Sequence, residues 1–394
     1  MVNCLYLNPF VFCWHNSEKV LLYDSVTGTS DKLDIDEELS SLLKKLDNIN
    51  NMYCVQLENY PNLYSNLKIF VEQIREKGYG GIAECEGDIK PVVLPPRPAI
   101  LRKPVKTTDY IEQLNTLIIS LNGNNSLFPH IGSHSIINEI PWTNLEKLLN
   151  MIPSGLKQLV ITGDNPLFYT EWEKLIKILK NTTFPKTVLL AYGALEYLVE
   201  SKYEIDSSFE LEFEILPQFL GSNIENILQN RILSDRKIKH VFYITSEAEY
   251  EAVEILAEKF ALDNIDIRPW YNGNNLQFFE DNVFLSEEDL KNQNFSRREI
   301  FAHQILNTNF FGKLTVLPDG NVYANINMKP LGKIGDNLGE LIKKEFVSGE
   351  SWFKTRDKLE PCGKCLFRHL CPSPSDYEYQ LGRHNLCNIV HEKS

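Results

Sequence analysis

The stretch TLIISLNGNNSLFPHIGSHS, residues 116–135, joins a short apolar run to a polar loop. The run TLIISL is rich in β-branched residues and ends at turn residues, which is typical of a buried strand. Five similar runs follow it before about residue 270: QLVIT, TVLLAY, FELEFEIL, HVFYIT and IDIRP. Helical patterns such as residues 144–151 and 171–180 lie between several of them. Because strands that alternate with helices pair in parallel, the sequence predicts either an open doubly wound sheet or part of a barrel.

Length and charge narrow the class of protein. The 394 residues exceed what one hydrophobic core usually spans, so we expect more than one domain. A net charge of -13 argues against a nucleic-acid partner, because phosphate binding depends on Lys and Arg. No stretch approaches the roughly 20 apolar residues that span a bilayer, and the first residues lack the pattern of a signal peptide. The sequence therefore predicts a cytoplasmic protein with no membrane partner.

Residues 1–90 form one predicted domain. The runs FVFCW, KVLLYD and KLDI predict a three-strand meander. A helix is expected to begin at Asp36, with a short strand at YCVQL after it. The two helices of this domain carry apolar stripes at Leu39, Leu42, Leu43 and Leu46, and at Leu63, Leu67, Phe70, Val71 and Ile74. The segment that follows contains five prolines, which favour extended chain, so residues 91–109 are predicted to be a linker.

The last part of the chain contains a predicted hairpin and a cysteine cluster. KLTVLPDGNVYA has turn residues between two β-rich runs. The cluster has the spacing C-x2-C-x5-C-x15-C and consists of Cys362, Cys365, Cys371 and Cys387. Two thiolates separated by two residues can approach one metal from a single turn, and four complete a site for zinc or a 4Fe-4S cluster. The alternative is four reduced, buried cysteines. Cys4, Cys13, Cys54 and Cys85 are scattered in sequence and predict no site.

Together, the six βα units, the LPDG hairpin and the C-x2-C-x5-C tail resemble a radical S-adenosylmethionine (SAM) protein with a SPASM domain, of the kind that modifies ribosomally made peptides. The resemblance covers residues 110–394. It implies a partial (β/α)6 TIM-type barrel over residues 110–305 and a SPASM-like metal-binding domain over residues 306–394. In that family the first barrel strand leads into CxxxCxxC, which holds the iron–sulfur cluster that cleaves SAM.

This chain departs from the family pattern at that motif. The non-cysteine positions of the fuller motif match Asn125, His130 and Gly132. The three cysteine positions fall on Asn124, Phe128 and Ile131. Phe and Ile have no lone pair to donate, and a neutral amide is a poor iron ligand. The resemblance therefore implies a barrel that assembles no SAM-cleaving cluster, and we do not expect SAM as a cofactor.

Two further departures agree with the first. The family has a Gly-Gly-Glu turn after the second strand that holds the amino group of SAM, and the matching positions here are Gly163, Asp164 and Asn165. In the SPASM pattern, two ligands of the first auxiliary cluster fall on Asn325 and Ser375. The ligands of the second auxiliary cluster are matched by the four cysteines of the tail. The resemblance thus implies one surviving metal centre and a degenerate SAM site.

The N-terminal 90 residues resemble the PqqD-like peptide recognition domain, a small winged-helix-like α+β fold. The alternative is a generic small α+β domain. Such recognition domains bind a leader peptide as a strand added to their sheet, which predicts contacts at the edge of the third strand and on the second helix. The predicted peptide-binding residues are Lys32, Leu33, Asp34, Ile35, Leu63, Leu67 and Phe70.

The resulting hypothesis is a catalytically inactive radical-SAM-like protein that acts as a partner or scaffold. It would bind a ribosomally made precursor peptide, an active radical SAM/SPASM enzyme, or both, and it would have no catalytic residues of its own. Two alternatives stay open. The chain is a redox or other enzyme that uses the surviving cluster, or it is a purely structural assembly subunit.

Overall fold

A computed structural model describes residues 2–57, 66–86, 90–96, 110–123, 139–194, 205–220, 224–228 and 238–389. The strands are β1 (Val2–Leu7), β2 (Val11–His15), β3 (Lys19–Asp24), β4 (Ser30–Asp34), β5 (Cys54–Gln56), β6 (Gly80–Cys85), β7 (Thr116–Ser120), β8 (Gln158–Thr162), β9 (Lys186–Ala191), β10 (Phe209–Ile215), β11 (Ile238–Ile244), β12 (Ile265–Pro269), β13 (Lys313–Val316), β14 (Asn321–Tyr323) and β15 (Gly332–Lys333). The α-helices are α1 (Glu37–Asp47), α2 (Asn66–Glu76), α3 (Trp142–Met151), α4 (Trp172–Leu179), α5 (Ile224–Leu228), α6 (Glu247–Lys259), α7 (Leu276–Asn282), α8 (Glu287–Asn292), α9 (Arg297–Ile305), α10 (Leu338–Ser348) and α11 (Asp376–Gln380). Within these ranges no helix has the length and apolar character needed to cross a membrane.

The N-terminal region contains the predicted meander and a second sheet. Strands β2, β3 and β4 pair antiparallel with β4 at an edge, and Asp36 caps α1 as predicted, accepting a hydrogen bond from the Leu39 amide at 2.8 Å. The second sheet has the order β5-β1-β6. The sequence pattern predicts neither β1 nor β6. Strand β6 begins with two glycines, and glycine disfavours strands. Gly80 is required there, since a Cβ atom would overlap the Tyr6 carbonyl oxygen.

The six predicted βα strands are all present, and their order decides between the two predicted architectures. Strands β7 to β12 are neighbours in chain order and every pair is parallel. A doubly wound sheet reverses its strand order at a switch point, whereas here the order runs in one direction. Right-handed crossovers then place all the connecting helices on one face. The sheet is singly wound, as in a barrel wall, and the doubly wound alternative is wrong.

The two faces of this sheet differ in chemistry. On β10 the side chains of Leu211, Phe213 and Ile215 are buried in the largest core, together with Leu145 of α3 and Leu175 of α4. Because side chains alternate along a strand, the glutamates between them point to the opposite face, here called the inner face. The helix side therefore supplies the apolar core, and the inner face is available for polar groups.

The predicted hairpin extends the same sheet. Strand β13 pairs in parallel with β7, and β14 pairs antiparallel with β13. Asp319 in the turn accepts a hydrogen bond from the Asn321 amide at 2.9 Å. The hairpin thus extends the sheet beyond β7, and residues of α11 line a cavity with the inner-face residues of that sheet.

The N-terminal meander also packs on the C-terminal region. Phe12, Trp14, Leu21 and Tyr23 face away from α1 and join a core with Leu290, Phe295, Ile300, Leu366, Phe367 and Leu370. The Tyr23 hydroxyl accepts a hydrogen bond from the Phe295 amide at 2.7 Å. Both faces of the meander are therefore covered, one by α1 and α2 and the other by the segment that carries the cysteine cluster.

Candidate functional site

The positions predicted to match a degenerate SAM site lie partly within the described residues. Asn124, Phe128 and Ile131 lie outside them. The matching turn after β8, Gly163 to Asn165, is joined to the segment after β7. The Asp164 amide donates to the Asn122 carbonyl at 3.2 Å, and the Asn122 side-chain amide donates to the Asn165 carbonyl at 2.8 Å. Gly123 has a φ of +79°, and a Cβ atom there would overlap the Asp164 carboxylate. Asp164 therefore packs against the end of β7.

The four cysteines of the tail are brought to one region by short turns. The Cys365 amide donates to the Cys362 carbonyl at 2.9 Å, which closes the turn between the first two thiols. Cys387 is held by a bridge to Leu285, beside α8. Across the described part of the chain, no three His, Cys, Asp or Glu side chains stand in metal-coordinating geometry. The thiols are nonetheless near neighbours, because Cys371 interacts electrostatically with the other three.

The surroundings of this group favour protonated thiols over free thiolates. Burial raises the pKa of the Cys365 thiol to about 11 and that of Cys371 to about 12, so the thiols alone remain protonated near neutral pH. Binding of a metal ion would release the thiol protons, because the ion coordinates the thiolate form. Four thiolate donors fit zinc or a 4Fe-4S cluster, since both accept four sulfur ligands.

A buried arginine lies against the thiols. Arg356 Nη1 is 4.0 Å from the Cys362 sulfur, and it also donates to the His384 carbonyl at 2.9 Å. Its Nη2 forms an ion pair with Glu378 at 2.5 Å, and both side chains are almost fully buried. Arg356 therefore ties the cysteine turns to α11, which is the helix that faces the sheet.

The edge of β4 offers unpaired backbone groups. A hydrogen bond from the Ile35 amide to the Glu18 carbonyl, at 2.7 Å, fixes the alternation of the β3–β4 ladder. The backbone groups that point away from β3 then belong to Ser30, Lys32 and Asp34. Within the described residues none of these groups has a hydrogen-bond partner. The prediction that this strand lies at a sheet edge is confirmed, although the strand is Ser30–Asp34 rather than Lys32–Ile35.

A groove of about 690 Å³ runs beside this edge. Its walls include the β2–β3 turn, Lys32, Glu287 of α8, and residues 360–368 of the cysteine segment. Lys32 Nζ bridges the groove to Glu287 at 2.6 Å. Lys32 is therefore the β4 residue that lines this cavity, and Cys365 of the cluster also lines it.

The helix residues predicted to line a peptide groove are instead part of the N-terminal core. Leu67 and Phe70 are fully buried and pack in the N-terminal core with Leu39 and Leu42. Leu33 and Ile35 pack against the same core. Leu63 lies outside the described residues. The described helix residues therefore stabilise the domain and do not line a groove, because α2 needs its apolar stripe to cover the sheet.

A second cavity, of about 460 Å³, lies on the inner face of the parallel sheet. Its apolar wall is formed by Ile118, Val160 and Leu189, and its cover by the C-terminal residues Asn309, Phe310, Lys313, Ile326, Asn327, Ser375, Asp376, Tyr377 and Gln380. The remaining lining residues are Glu214, Tyr243, Arg268, Pro269 and Trp270. Sequence reasoning missed this site, although the alternation of glutamates in FELEFEI was a visible sign of a polar face.

Comparison with known proteins gives structural neighbours but no family. No model of a known protein family matches the chain, and no curated protein matches it. Solved structures of Streptococcus suis SuiB are similar. SuiB bound to the precursor peptide SuiA has a TM-score of 0.48 at 10% identity, covering 98% of this chain and 100% of that chain. SuiB bound to S-adenosylmethionine has a TM-score of 0.44 at 12% identity, covering 98% and 99%. A further SuiB structure has a TM-score of 0.42 at 11% identity, covering 98% and 100%.

Proposed function

We propose that this protein is a catalytically inactive, radical-SAM-like partner in the maturation of a ribosomally made peptide, and that it binds the precursor as a strand added to β4. The observation that carries the peptide-binding part is the open edge of β4 beside the groove. Ser30, Lys32 and Asp34 present backbone donors and acceptors there without partners among the described residues. An added strand would satisfy these groups, while side-chain contacts in the groove would select the sequence.

The absence of chemistry in the barrel is proposed from the sequence. A SAM-cleaving cluster needs three thiolates, and the positions that match them are Asn124, Phe128 and Ile131. An active radical SAM/SPASM enzyme would then supply the radical reaction as the second partner. The proposal predicts that protein reconstituted with iron and sulfide under anaerobic conditions, then reduced, releases no 5′-deoxyadenosine from SAM above a control without protein. Clear turnover would contradict it.

The cysteine cluster is proposed to hold one structural metal centre through Cys362, Cys365, Cys371 and Cys387. The spacing C-x2-C-x5-C-x15-C and the neighbouring positions of the four thiols support this role. Because Cys365 lines the peptide groove, the metal would also fix one wall of that groove.

Strand addition is tested by two substitutions at one position of the full-length protein. Lys32→Pro removes the outward N–H of β4 without removing a ladder bond, which edge strands tolerate. Lys32→Thr keeps that N–H and removes only the ammonium group. The probes are synthetic peptides translated from short reading frames beside the gene, titrated calorimetrically. We expect Lys32→Pro to bind at least about tenfold more weakly and Lys32→Thr to bind within a few-fold of the original protein.

Other results decide against strand addition at β4. Equal loss in both variants would assign the affinity to the Lys32 side chain. Undiminished binding by Lys32→Pro would place the peptide elsewhere, and binding of no peptide by the original protein would contradict the proposed partner.

A further inference from the structure

The inner-face cavity contains a lysine that forms no ion pair among the described residues. Lys313 lines the cavity at the start of β13. Within the described residues its ammonium group forms no hydrogen bond and no ion pair. Its Nζ atom lies 5.9 Å from the centre of the Phe310 ring. Burial lowers the pKa of this lysine. An unpaired, partly buried charge lowers the stability of the folded protein. A bound anionic group would offset this cost.

The other charges on the inner face are already matched. Arg268 pairs with Asp266 at 2.7 Å, and Lys239 pairs with the same carboxylate at 2.9 Å. Glu214 accepts a hydrogen bond from the Tyr243 hydroxyl at 2.7 Å, and burial raises the pKa of its carboxyl to about 7. Of the two cations that line the cavity, Arg268 has an ion-pair partner and Lys313 has none among the described residues.

Two hydrogen-bond acceptors, Asp376 and Gln380, line the same cavity as the lysine. Asp376 interacts electrostatically with Lys313, yet the two form no ion pair. One Asp376 oxygen accepts a hydrogen bond from the Asn327 side chain at 2.7 Å, which leaves the second oxygen for another donor. Gln380 Oε1 is buried without a hydrogen-bond partner in the described structure. The cavity therefore presents a positive donor and a set of negative or neutral acceptors that do not meet each other.

A second buried lysine, by contrast, has its hydrogen-bonding partners within the protein. Lys186, at the start of β9, is 4% exposed. Its ammonium donates to the Thr182 carbonyl at 2.9 Å and lies near the Thr182 hydroxyl at 3.4 Å. Burial lowers the pKa of Lys186 as well. The two lysines differ in their partners, because Lys186 is satisfied by its own chain and Lys313 is not.

We propose that the inner-face cavity binds a free α-amino acid with an apolar side chain. The ligand carboxylate would accept hydrogen bonds from Lys313, and the ligand ammonium would donate to Asp376 and Gln380. The apolar wall of Ile118, Val160 and Leu189 would hold the side chain. The cavity volume of about 460 Å³ lies within the range of small-molecule sites. This site is separate from the β4 edge, so the inference does not depend on peptide binding there.

The test uses the full-length protein and the standard L-amino acids at about 10 mM, each assayed by thermal shift, because a ligand that binds only the folded state raises Tm. We expect at least one aliphatic or aromatic amino acid to raise Tm. Its N-acetyl and carboxamide derivatives each lose one charge and should raise Tm much less. This arm also separates a free amino acid from a peptide terminus, which carries only one of the two charges.

Two substitutions then locate the ligand. Lys313→Met should weaken binding at least about tenfold by calorimetry, and in the absence of ligand it should raise Tm by about 2 °C, since it removes an unpaired charge. Asp376→Asn should weaken binding while keeping the contact to Asn327. The matched control is Lys186→Met, which removes a buried lysine that has partners, and it should lower Tm and leave affinity unchanged.

Several outcomes would overturn the inference. These are a Tm that no amino acid changes, equal binding of the N-acetyl derivative, and unchanged affinity in both Lys313→Met and Asp376→Asn. A fall in the Tm of ligand-free Lys313→Met would show that the lysine is satisfied within the protein and would also contradict it. None of these results bears on the β4 edge, so failure here and failure of the proposed function are distinguishable.

Discussion

Two groups of cysteines lie at opposite ends of the chain, and they are held in different ways. The C-terminal quartet is Cys362, Cys365, Cys371 and Cys387, and the N-terminal trio is Cys4, Cys54 and Cys85. The trio sits on three neighbouring strands, one cysteine each on β1, β5 and β6. All three thiols are at most 2% exposed and form a small cluster against Tyr6.

The backbone that carries each group decides what the group can do. In the trio, Cys4 pairs in register with Gln56 and Ala83, so its two partner cysteines are diagonal neighbours. Diagonal positions of a sheet hold Cα atoms roughly 7–8 Å apart, and the Cys4 thiol interacts with Cys85 and Cys54 across the sheet. The backbone of the trio is fixed by the pairing of its three strands. The quartet is carried by turns, which can close around an ion at a metal–sulfur distance of about 2.3 Å. We infer that the quartet binds metal and the trio acts as packing.

The largest expected effect comes from removing a quartet thiol. Cys371→Ala should abolish the bound metal and lower the free energy of unfolding by more than about 5 kcal/mol, because metal binding and folding are coupled in structural sites. Metal content is measured by elemental analysis of anaerobically purified protein, and stability by urea unfolding.

Cys13→Ala is the control for this change. Cys13 is a partly buried cysteine of β2 that belongs to neither group. Its replacement should leave the metal in place. Finding neither zinc nor iron in the original protein would remove the distinction between quartet and trio.

The buried arginine beside the quartet gives the next largest effect. Arg356→Met leaves the almost fully buried Glu378 without its ion-pair partner, and breaking a buried pair costs about 3–5 kcal/mol. The double variant Arg356→Met/Glu378→Gln removes the stranded charge and keeps an acceptor for the Ser375 amide, so we expect it to recover part of the loss. The measurement is a double-mutant cycle by urea unfolding. Additive losses would contradict a direct coupling between the two side chains.

A substitution in the trio should have a smaller and purely mechanical effect. Cys54→Ala removes one buried sulfur, which behaves as a small apolar group, and should cost about 1–2 kcal/mol. Metal content should be unchanged. If the variant loses metal in proportion to the quartet variant, then the trio binds the ion and the comparison is reversed.

Local sequence patterns predicted the parts of the fold that depend on local rules. The six apolar runs predicted β7 to β12, and the Pro-Asp-Gly turn predicted the hairpin. Both predictions succeeded because periodicity and turn chemistry depend on only a few neighbouring residues. The trio was not predictable in this way, since residues 4, 54 and 85 meet only after β1, β5 and β6 pair. The two-sided packing of β2 had a sign in the sequence, because FVFCW is apolar on both faces.

The candidate sites divide along the same line. The spacing of the quartet and the edge position of β4 follow from neighbouring residues and could be predicted. That Lys313 has no ion-pair partner could not be predicted from the sequence. Its surroundings depend on which side chains three distant segments bring to the inner face. Leu67 and Phe70 fit a groove and a core equally well by sequence, and only the packing of α2 assigns them to the core.

The smallest effect is a pH dependence that separates packed thiols from metal-bound ones. Burial, followed by a hydrogen bond to Cys85, raises the pKa of the Cys4 thiol from 9.0 to about 12. The folded state therefore binds this proton more tightly than the unfolded state, and the stabilisation is present below pH 9 and falls as the pH rises toward 12. Cys4→Ala lacks this titration, so its stability deficit relative to the original protein should shrink between about pH 7 and about pH 10. Urea midpoints at the two pH values measure the change, and Val55→Ala, a buried non-titrating substitution on β5, should show a constant deficit. A Cys4→Ala deficit that stays constant would mean that the thiol titrates alike in the folded and unfolded states, and the trio would then have no electrostatic signature of its burial.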